Sequence, residues 1–193
     1  MRIGELTALQ WDDIDFENKE IHIRHSMQSA YLNGKKILNM TTPKTSNSIR
    51  DIPMFDGVEK LFVFWKEKQD KAKKELGRRW RLPKEFENLV FTSSLGSPLT
   101  RYVLSNDINK IVSILNKNEE YLAEQENRVP KKFPKLHPHS FRHTFATRCF
   151  EKNLKPVFIM SIMGHSNYET TLSYTHLLKK SNDQQVSLAG SFV

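Results

Sequence analysis

The segment 136–177 constrains the fold most, because helix start and stop signals divide it into short helical pieces. Apolar residues recur at helical spacing across 141–150, which predicts the first helix. This spacing places His139 and Arg142 together on a different face of that helix. The first piece therefore carries a basic face beside an apolar one.

Helix start and stop residues predict two further helices in the same segment. Pro156 suits the first turn of a helix, and Gly164 suits its end. Ser166 and Glu169 form a capping-box pattern, which predicts a third helix that runs through Tyr174. Residues 179–193 are polar and then mildly apolar, a pattern more typical of an arm than of a core element.

Short strands are expected in the first third of the chain. Apolar and polar residues alternate around 14–16 and 21–23, and Asn18-Lys19 suits a turn between them. Asn33-Gly34 is a hairpin turn signal, because both residues tolerate positive φ. It leads into a strand at 36–42, and a further strand follows at 49–53, after a turn that lies close to Lys44. These pieces predict a small antiparallel sheet of three or more strands.

The middle of the chain is mainly helical. Apolar spacing predicts one helix from Asp56 and another across 103–115, with a short strand at 89–92 between them. Residues 116–135 are highly charged, and we expect them to contain a helix end and an exposed loop. The fold class predicted is α+β: a mainly α-helical domain over 1–178 with a small antiparallel sheet at one edge, followed by the tail 179–193.

Composition narrows the class of partner. The chain has 193 residues and a formal net charge of +8, which favours a polyanionic partner because cations that neutralise phosphates release counterions. The single cysteine, Cys149, excludes an internal disulfide, fits a reducing cytoplasm and is expected to fill the core. No apolar run approaches the roughly 18 residues that span a bilayer, so no membrane partner is expected.

The reactive residues match what metal-free cleavage of a phosphodiester requires. A nucleophile must attack phosphorus, cations must stabilise the non-bridging oxygens, and an acid must protonate the leaving oxygen. Arginine suits the oxygens because its planar guanidinium presents paired donors. A tyrosine phenolate attacks and also leaves again, which keeps the step reversible.

The order of these residues resembles the tyrosine recombinase (phage integrase) family, and in particular the integrases of phages and mobile elements. The resemblance covers essentially the whole chain, and segment 136–177 is especially similar to the C-terminal signature of the family. The motifs are RIGEL at the start, PKT around Lys44, HSFRH at 139–143, GH at Gly164-His165, and Tyr174 nine positions later. Each motif alone is weak, and the set is specific.

The resemblance implies the chemistry of the reaction. Tyr174 would attack the scissile phosphate, form a 3′-phosphotyrosyl link and release a 5′-hydroxyl. Lys44 would be the acid that protonates the departing 5′ oxygen. No metal or other cofactor would be needed, because the phosphotyrosyl bond conserves the energy of the cut strand.

The resemblance also implies which residues hold the phosphate. Arg2 and Arg142 would grip the non-bridging oxygens, and His165 would add a hydrogen bond. His139 would assist proton transfer and orientation. Glu5, one helical turn after Arg2, would hold that arginine through an i,i+3 pair.

The resemblance implies partners as well. The expected substrate is double-stranded DNA at attachment sites, for integration or excision of a mobile element, with a location on DNA in the cytoplasm. Four protomers would act on two duplexes, and the protein would be a monomer without DNA. Tail 179–193 would dock onto a neighbouring protomer, although a disordered tail explains its composition equally well. Accessory DNA-bending or directionality proteins are further expected partners.

The chain departs from the family pattern in three ways. The first arginine of the family lies well inside its domain, whereas Arg2 is the second residue here, so we expect the start to be truncated and Arg2 to be held weakly. We also expect the truncated start to leave out the N-terminal DNA-clamping domain of the family. The hairpin around Asn33-Gly34 adds length before Lys44, as in integrases of mobile elements, and the sequence assigns it no role.

Other interpretations remain open from the sequence. Tyr174 is one of five tyrosines, and Tyr168 competes with it as nucleophile on composition alone. A type IB topoisomerase uses the same covalent chemistry but relaxes DNA without exchanging strands between two molecules. An inactive DNA-binding remnant would show only weak, salt-sensitive binding.

Overall fold

The computed structural model describes residues 1–42, 48–165, 167 and 169. The helices are α1 (Ile3–Ala8), α2 (Asp56–Leu76), α3 (Arg101–Gln125), α4 (Pro138–Glu151) and α5 (Pro156–Met163). The strands are β1 (Ile14–Asp15), β2 (Glu20–Ile23), β3 (Ser26–Leu32), β4 (Lys35–Thr41) and β5 (Arg50–Pro53). Single 3-10 turns cover Trp11–Asp13, Gly77–Arg79 and Lys84–Phe86. This mainly helical arrangement with short antiparallel strands confirms the predicted α+β class.

Within the described ranges, the strands form two small antiparallel sheets rather than one. In the first sheet the order is β1-β2-β5, and Ile21 of β2 lies opposite both Ile14 and Ile52. The second sheet is the hairpin β3-β4. Its turn residues Asn33 and Gly34 have φ values of 50° and 74°, which confirms the predicted turn. The hairpin packs on α1, the helix that follows Arg2 and contains Glu5.

Helix α5 is fixed from both sides by apolar packing. Ile162 belongs to a core that joins the first sheet to α2 and the end of α1, with members Leu9, Ile14, Ile21, Ile23, Ile52, Met54, Phe62 and Val90. Ile159 and Met163 pack on α4, against Ala146, Cys149 and Phe150. Cys149 therefore fills the core, as predicted. Because neighbouring residues of α5 are buried in two different clusters, the end of this helix has a defined position.

Two predicted features differ from the structure. Segment 89–92 is not a strand, although Leu89 and Val90 are fully buried. It forms only isolated bridges, one of them to the residues that follow α1, where Val90 N donates to the Leu9 carbonyl at 2.8 Å. Phe141 and Phe145 of α4 are 55% and 37% exposed rather than buried in its apolar face. They line an open cleft with Leu6, Leu104 and Ile108.

None of the helices in the described ranges has the length and apolar character that crossing a membrane requires.

Candidate functional site

The C-terminal end of α5 is the point around which the site is built. Gly164 ends the helix in the left-handed region, with φ 61° and ψ 46°, as its place in the sequence predicts. The last carbonyls of a helix have no partner within the helix and carry its negative partial charge, so they favour cations. Three guanidinium groups meet the carbonyls of three consecutive residues at this end.

Each of these arginines comes from a different element. Arg2, the residue before α1, donates from Nη2 to the Gly164 carbonyl at 2.7 Å. Arg50 on β5 donates from Nε to the Ile162 carbonyl at 2.7 Å. Arg142 on α4 donates from Nη2 to the Met163 carbonyl and is 6% exposed. The end of α5 thus brings together the N-terminal, sheet and C-terminal parts of the chain.

Glu5 links two of these arginines. Its carboxylate is 3% exposed and accepts from Arg2 Nη1 (2.9 Å) and from Arg50 Nη1 (3.1 Å) and Nη2 (2.9 Å). It also accepts from the Arg2 backbone N–H at 2.6 Å, which fixes the start of α1. Burial alone would raise the pKa of Glu5, but the hydrogen bonds from Arg50 and Arg2 outweigh it and hold the pKa at about 2. Glu5 is therefore ionised at neutral pH.

These contacts show that Arg2 is held more firmly than its place near the chain start suggests. Its side chain bonds to Glu5 and Gly164 but is still 41% exposed. Arg2 and Arg142 line the same cavity, of about 330 Å³. Among the four side chains of the cluster, three positive charges face the single negative charge of Glu5, so the cluster keeps a net positive charge, which suits a phosphate.

His165 is the residue directly after Gly164, which ends α5. Its side chain is buried, and its backbone N–H bonds to the Met160 carbonyl at 3.2 Å. Burial lowers the pKa of His165 to about 4, and the positive charges of Arg142, Arg2 and Arg50 act in the same direction. His165 is therefore neutral at pH 7 and able to donate one ring N–H.

His139 lies one turn before Arg142 on α4. Its ring meets the ring of His143 edge to face, with the centroids 4.6 Å apart. Burial lowers the pKa of His139, and the charges of His143, Arg142 and Arg2 add to this effect. A neutral imidazole is able to accept a proton, which suits His139 to the assisting role that the resemblance implies.

Two predicted site residues, Lys44 and Tyr174, lie outside the described residues, as does Tyr168. The described residues beside segment 43–47 lie next to the cluster: Thr42 and Ser48 line a cavity of about 130 Å³ together with Arg2 and Glu5. The structure thus brings Arg2, Glu5, Arg142, His165 and His139 around one region.

Sequence reasoning missed Arg50. Its side chain is 7% exposed, and it lies on the same side of β5 as the buried Ile52, two residues later. A charged residue at a core-facing strand position was the available signal, because such a residue needs a buried partner. That partner, Glu5, is 45 residues away in sequence.

A possible metal-ligand group lies elsewhere among the described residues. Glu20, His22 and Asp51 each bring one ligand atom within 4.8 Å of the others on β2 and β5. His22 Nδ1 and Asp51 Oδ1 share a hydrogen bond of 2.6 Å, which accounts for their proximity. We assign no metal to this group.

Comparison with known proteins gives one consistent family. A sequence model of the phage integrase family matches residues 1–181. A tyrosine recombinase XerC-like protein of Caldanaerobacter subterraneus subsp. tengcongensis is 29% identical over 192 residues, 96% of this chain and 45% of that protein. The transposase from transposon Tn916 of Enterococcus faecalis is 29% identical over 177 residues, 90% of this chain and 38% of that protein. The chain thus spans less than half the length of either relative.

The fold matches a solved structure over most of its length. The Tn1549 transposon integrase (residues 82–397), in complex with circular intermediate DNA, is 30% identical with a TM-score of 0.72. The match covers 90% of this chain and 50% of that one.

Proposed function

The chain belongs to the phage integrase family, and from this premise we propose that it forms the catalytic part of a site-specific DNA recombinase of a mobile element. The observation that carries the proposal is the cluster of Arg2, Arg142 and His165 at the end of α5, where two guanidinium groups bond to the carbonyls that directly precede a buried, neutral imidazole. The Tn1549 integrase of similar fold was solved in complex with circular intermediate DNA, which supports DNA as the substrate.

The proposed reaction is a reversible transesterification. The Tyr174 hydroxyl oxygen attacks the scissile phosphorus and forms the 3′-phosphotyrosyl bond, while the bond from phosphorus to the 5′ oxygen breaks. Neutral His139 assists the transfer of the tyrosine proton. Lys44 gives a proton to the departing 5′ oxygen. Attack by a 5′-hydroxyl on the phosphotyrosyl bond reverses the step and rejoins a strand.

Arg2, Arg142 and His165 are proposed to bind the two non-bridging oxygens. Charge on these oxygens grows in the transition state, so donors already held in place stabilise it more than water does. The carbonyls of α5 and the Glu5 carboxylate hold the guanidinium groups of Arg2 and Arg142 before DNA arrives. No step of this reaction requires a metal or other cofactor.

The wider assembly belongs to the same proposal. Residues 1–178 form the catalytic domain, and tail 179–193 docks on a neighbouring protomer. Four protomers act on two duplexes at attachment sites, with accessory DNA-bending or directionality proteins, and the protein is a monomer without DNA. The location is on DNA in the cytoplasm, and the net charge of +8 supports the contact with DNA.

Covalent trapping on supercoiled DNA tests the proposal. The unaltered protein, Tyr174→Phe and the matched control Tyr168→Phe are quenched with detergent after reaction, and protein–DNA adducts are separated on a denaturing gel. We expect an adduct with the unaltered protein and with Tyr168→Phe, and none with Tyr174→Phe. An adduct that survives Tyr174→Phe would place the nucleophile elsewhere. Products that are relaxed but never exchanged between two DNA molecules would favour the topoisomerase alternative.

A further inference from the structure

We propose that Arg50 is a positioning residue of this site: it shares the Glu5 carboxylate with Arg2 and holds the turn that leads into His165. This inference rests on the proposed function, and Arg50 is not among the residues that the resemblance points to.

The contacts of Arg50 use most of its donors. Nη1 and Nη2 bond to the two oxygens of Glu5 at 3.1 and 2.9 Å, in the paired geometry that a guanidinium forms with a carboxylate. Nε bonds to the Ile162 carbonyl at 2.7 Å, and Nη1 also bonds to the Ser48 carbonyl at 2.9 Å. One side chain thus connects α1, β5 and α5.

Burial separates the role of Arg50 from that of Arg2. The Arg50 side chain is 7% exposed, whereas the Arg2 side chain is 41% exposed. Arg50 is also absent from the lining of the cavity that Arg2 and Arg142 share. Arg2 is thus the more exposed of the two arginines that Glu5 binds, whereas the donors of Arg50 are directed to Glu5 and to the carbonyls of Ser48 and Ile162, so Arg50 is proposed to act on the phosphate through these groups.

The charge balance explains why Glu5 requires two arginines. Paired with Arg2 alone, the Glu5 carboxylate would cancel the positive charge that Arg2 brings to the cavity. With Arg50 bonded to both carboxylate oxygens, the three side chains keep a net positive charge, and Arg2 is the member that reaches the surface. Arg50 thereby lets Glu5 orient Arg2 without neutralising it.

Arg50 also packs against the turn at Gly164. A Cβ atom added to Gly164 would lie 2.8 Å from Arg50 Nη1 and 2.9 Å from Cζ, so the guanidinium packs directly on the glycine backbone. The Gly164 carbonyl is the one that Arg2 binds, and His165 is the next residue. A shift of Arg50 would therefore move His165, which is one proposed phosphate ligand. It would also move the Gly164 carbonyl, which holds Arg2, another proposed ligand.

The test compares Arg50→Gln, Arg50→Lys and the matched control Arg128→Gln in single-turnover covalent cleavage and in DNA binding. Arg128 also donates to both oxygens of one glutamate, Glu119, at 2.5 and 3.2 Å, but outside this site. We expect Arg50→Gln to slow cleavage about 10- to 100-fold while the Kd for DNA changes less than about threefold, because misplacement affects the reacting geometry more than binding. Arg50→Lys keeps the charge and should recover part of the rate, and Arg128→Gln should match the unaltered protein.

A double-mutant cycle and an NMR titration complete the test. If Arg50 acts through Glu5, the combination of Arg50→Gln and Glu5→Gln should slow cleavage much less than the product of the two single effects. In the DNA-free protein, Arg50→Gln should raise the pKa of His165, and Arg50→Lys should raise it less.

Distinct outcomes would overturn the inference. Arg50→Gln with a lowered Tm but an unchanged rate per folded molecule would leave Arg50 as a structural brace only. Equal changes in Kd and rate would indicate direct DNA contact. An unchanged pKa of His165 in both variants would contradict the placement of Arg50 even if no DNA is cleaved. An unaltered protein that forms no adduct would instead refute the proposed function, with the NMR titration still deciding the inference on Arg50.

Discussion

Replacement of Glu5 by glutamine tests how much the ionised carboxylate that Arg2 and Arg50 share stabilises the fold. The side chain keeps its shape but no longer carries the charge that two arginines share. Hydrogen bonds from Arg50 and Arg2 hold the pKa of Glu5 at about 2 against its ordinary value of 4.5, in spite of burial, which acts in the opposite direction. The difference corresponds to about 3 kcal/mol of folding free energy at neutral pH. We therefore expect Glu5→Gln to lower the free energy of unfolding by about 3 kcal/mol at pH 7.

The pH dependence of this effect follows from the sign of the pKa change. Because the pKa is lower in the folded state, the contribution is fully present above the unfolded pKa of about 4.5 and is lost as the pH falls toward 2. At pH 3 the difference between Glu5→Gln and the unaltered protein should have fallen to about 1 kcal/mol. A destabilisation that stays the same at both pH values would show that it does not come from the ionised carboxylate.

Urea unfolding followed by circular dichroism at pH 7 and pH 3 measures both values. The matched control is Glu75→Gln on α2, where Glu75 forms an exposed i,i+4 pair with Lys71 at 3.9 Å. Such a pair contributes roughly 0.5 kcal/mol at most, so the control should unfold almost as the unaltered protein does. A result for Glu5→Gln as small as that of the control at pH 7 would refute the reasoning.

Three further predictions follow from the same site. Gly164→Ala should destabilise the fold by about 1–3 kcal/mol because φ is 61° and the added Cβ would press on Arg50, whereas Gly57→Ala, with open space around it on α2, should not; equal Tm values for the two variants would contradict this. His165 should titrate near pH 4 in an NMR experiment, so that its contribution to stability is present above about pH 6.5 and lost as the pH falls toward 4; a midpoint near 6.5 would exclude the buried cationic surroundings. Lys44→Ala should slow cleavage much less on a substrate with a 5′-thio leaving group, which needs no proton, and equal losses on both substrates would remove Lys44 from the role of acid.

The exposed phenylalanines of α4 and the split sheet show where local patterns have limited power. Helical spacing placed Phe141 and Phe145 on the apolar face of α4, yet both line an open cleft. Periodicity identifies the face of a helix but not whether another element covers it. In the same way, turn signals predicted strands at 36–42 and 49–53, which correspond to β4 and β5, but not that these strands belong to different sheets.

The sequence by itself determined the local structure and the chemical inventory. Asn33-Gly34 and Gly164 adopt the positive φ values that their positions require, because few other residues tolerate them at low cost. Helix α4, which carries Arg142, and helix α5, which precedes His165, were also predictable, because apolar spacing and helix start and stop residues act over a few positions. The order of the motifs was sufficient to indicate the family.

Only the tertiary structure decided how these residues act together. Glu5 pairs with Arg50 as well as with Arg2, and the carbonyls at the end of α5 orient Arg2, Arg50 and Arg142. The Arg50–Glu5 pair and the three arginine–carbonyl pairs join residues that are 21 to 162 positions apart in the chain. No local pattern encodes such pairs, because they form only when packing on α5 brings distant elements to the same helix end.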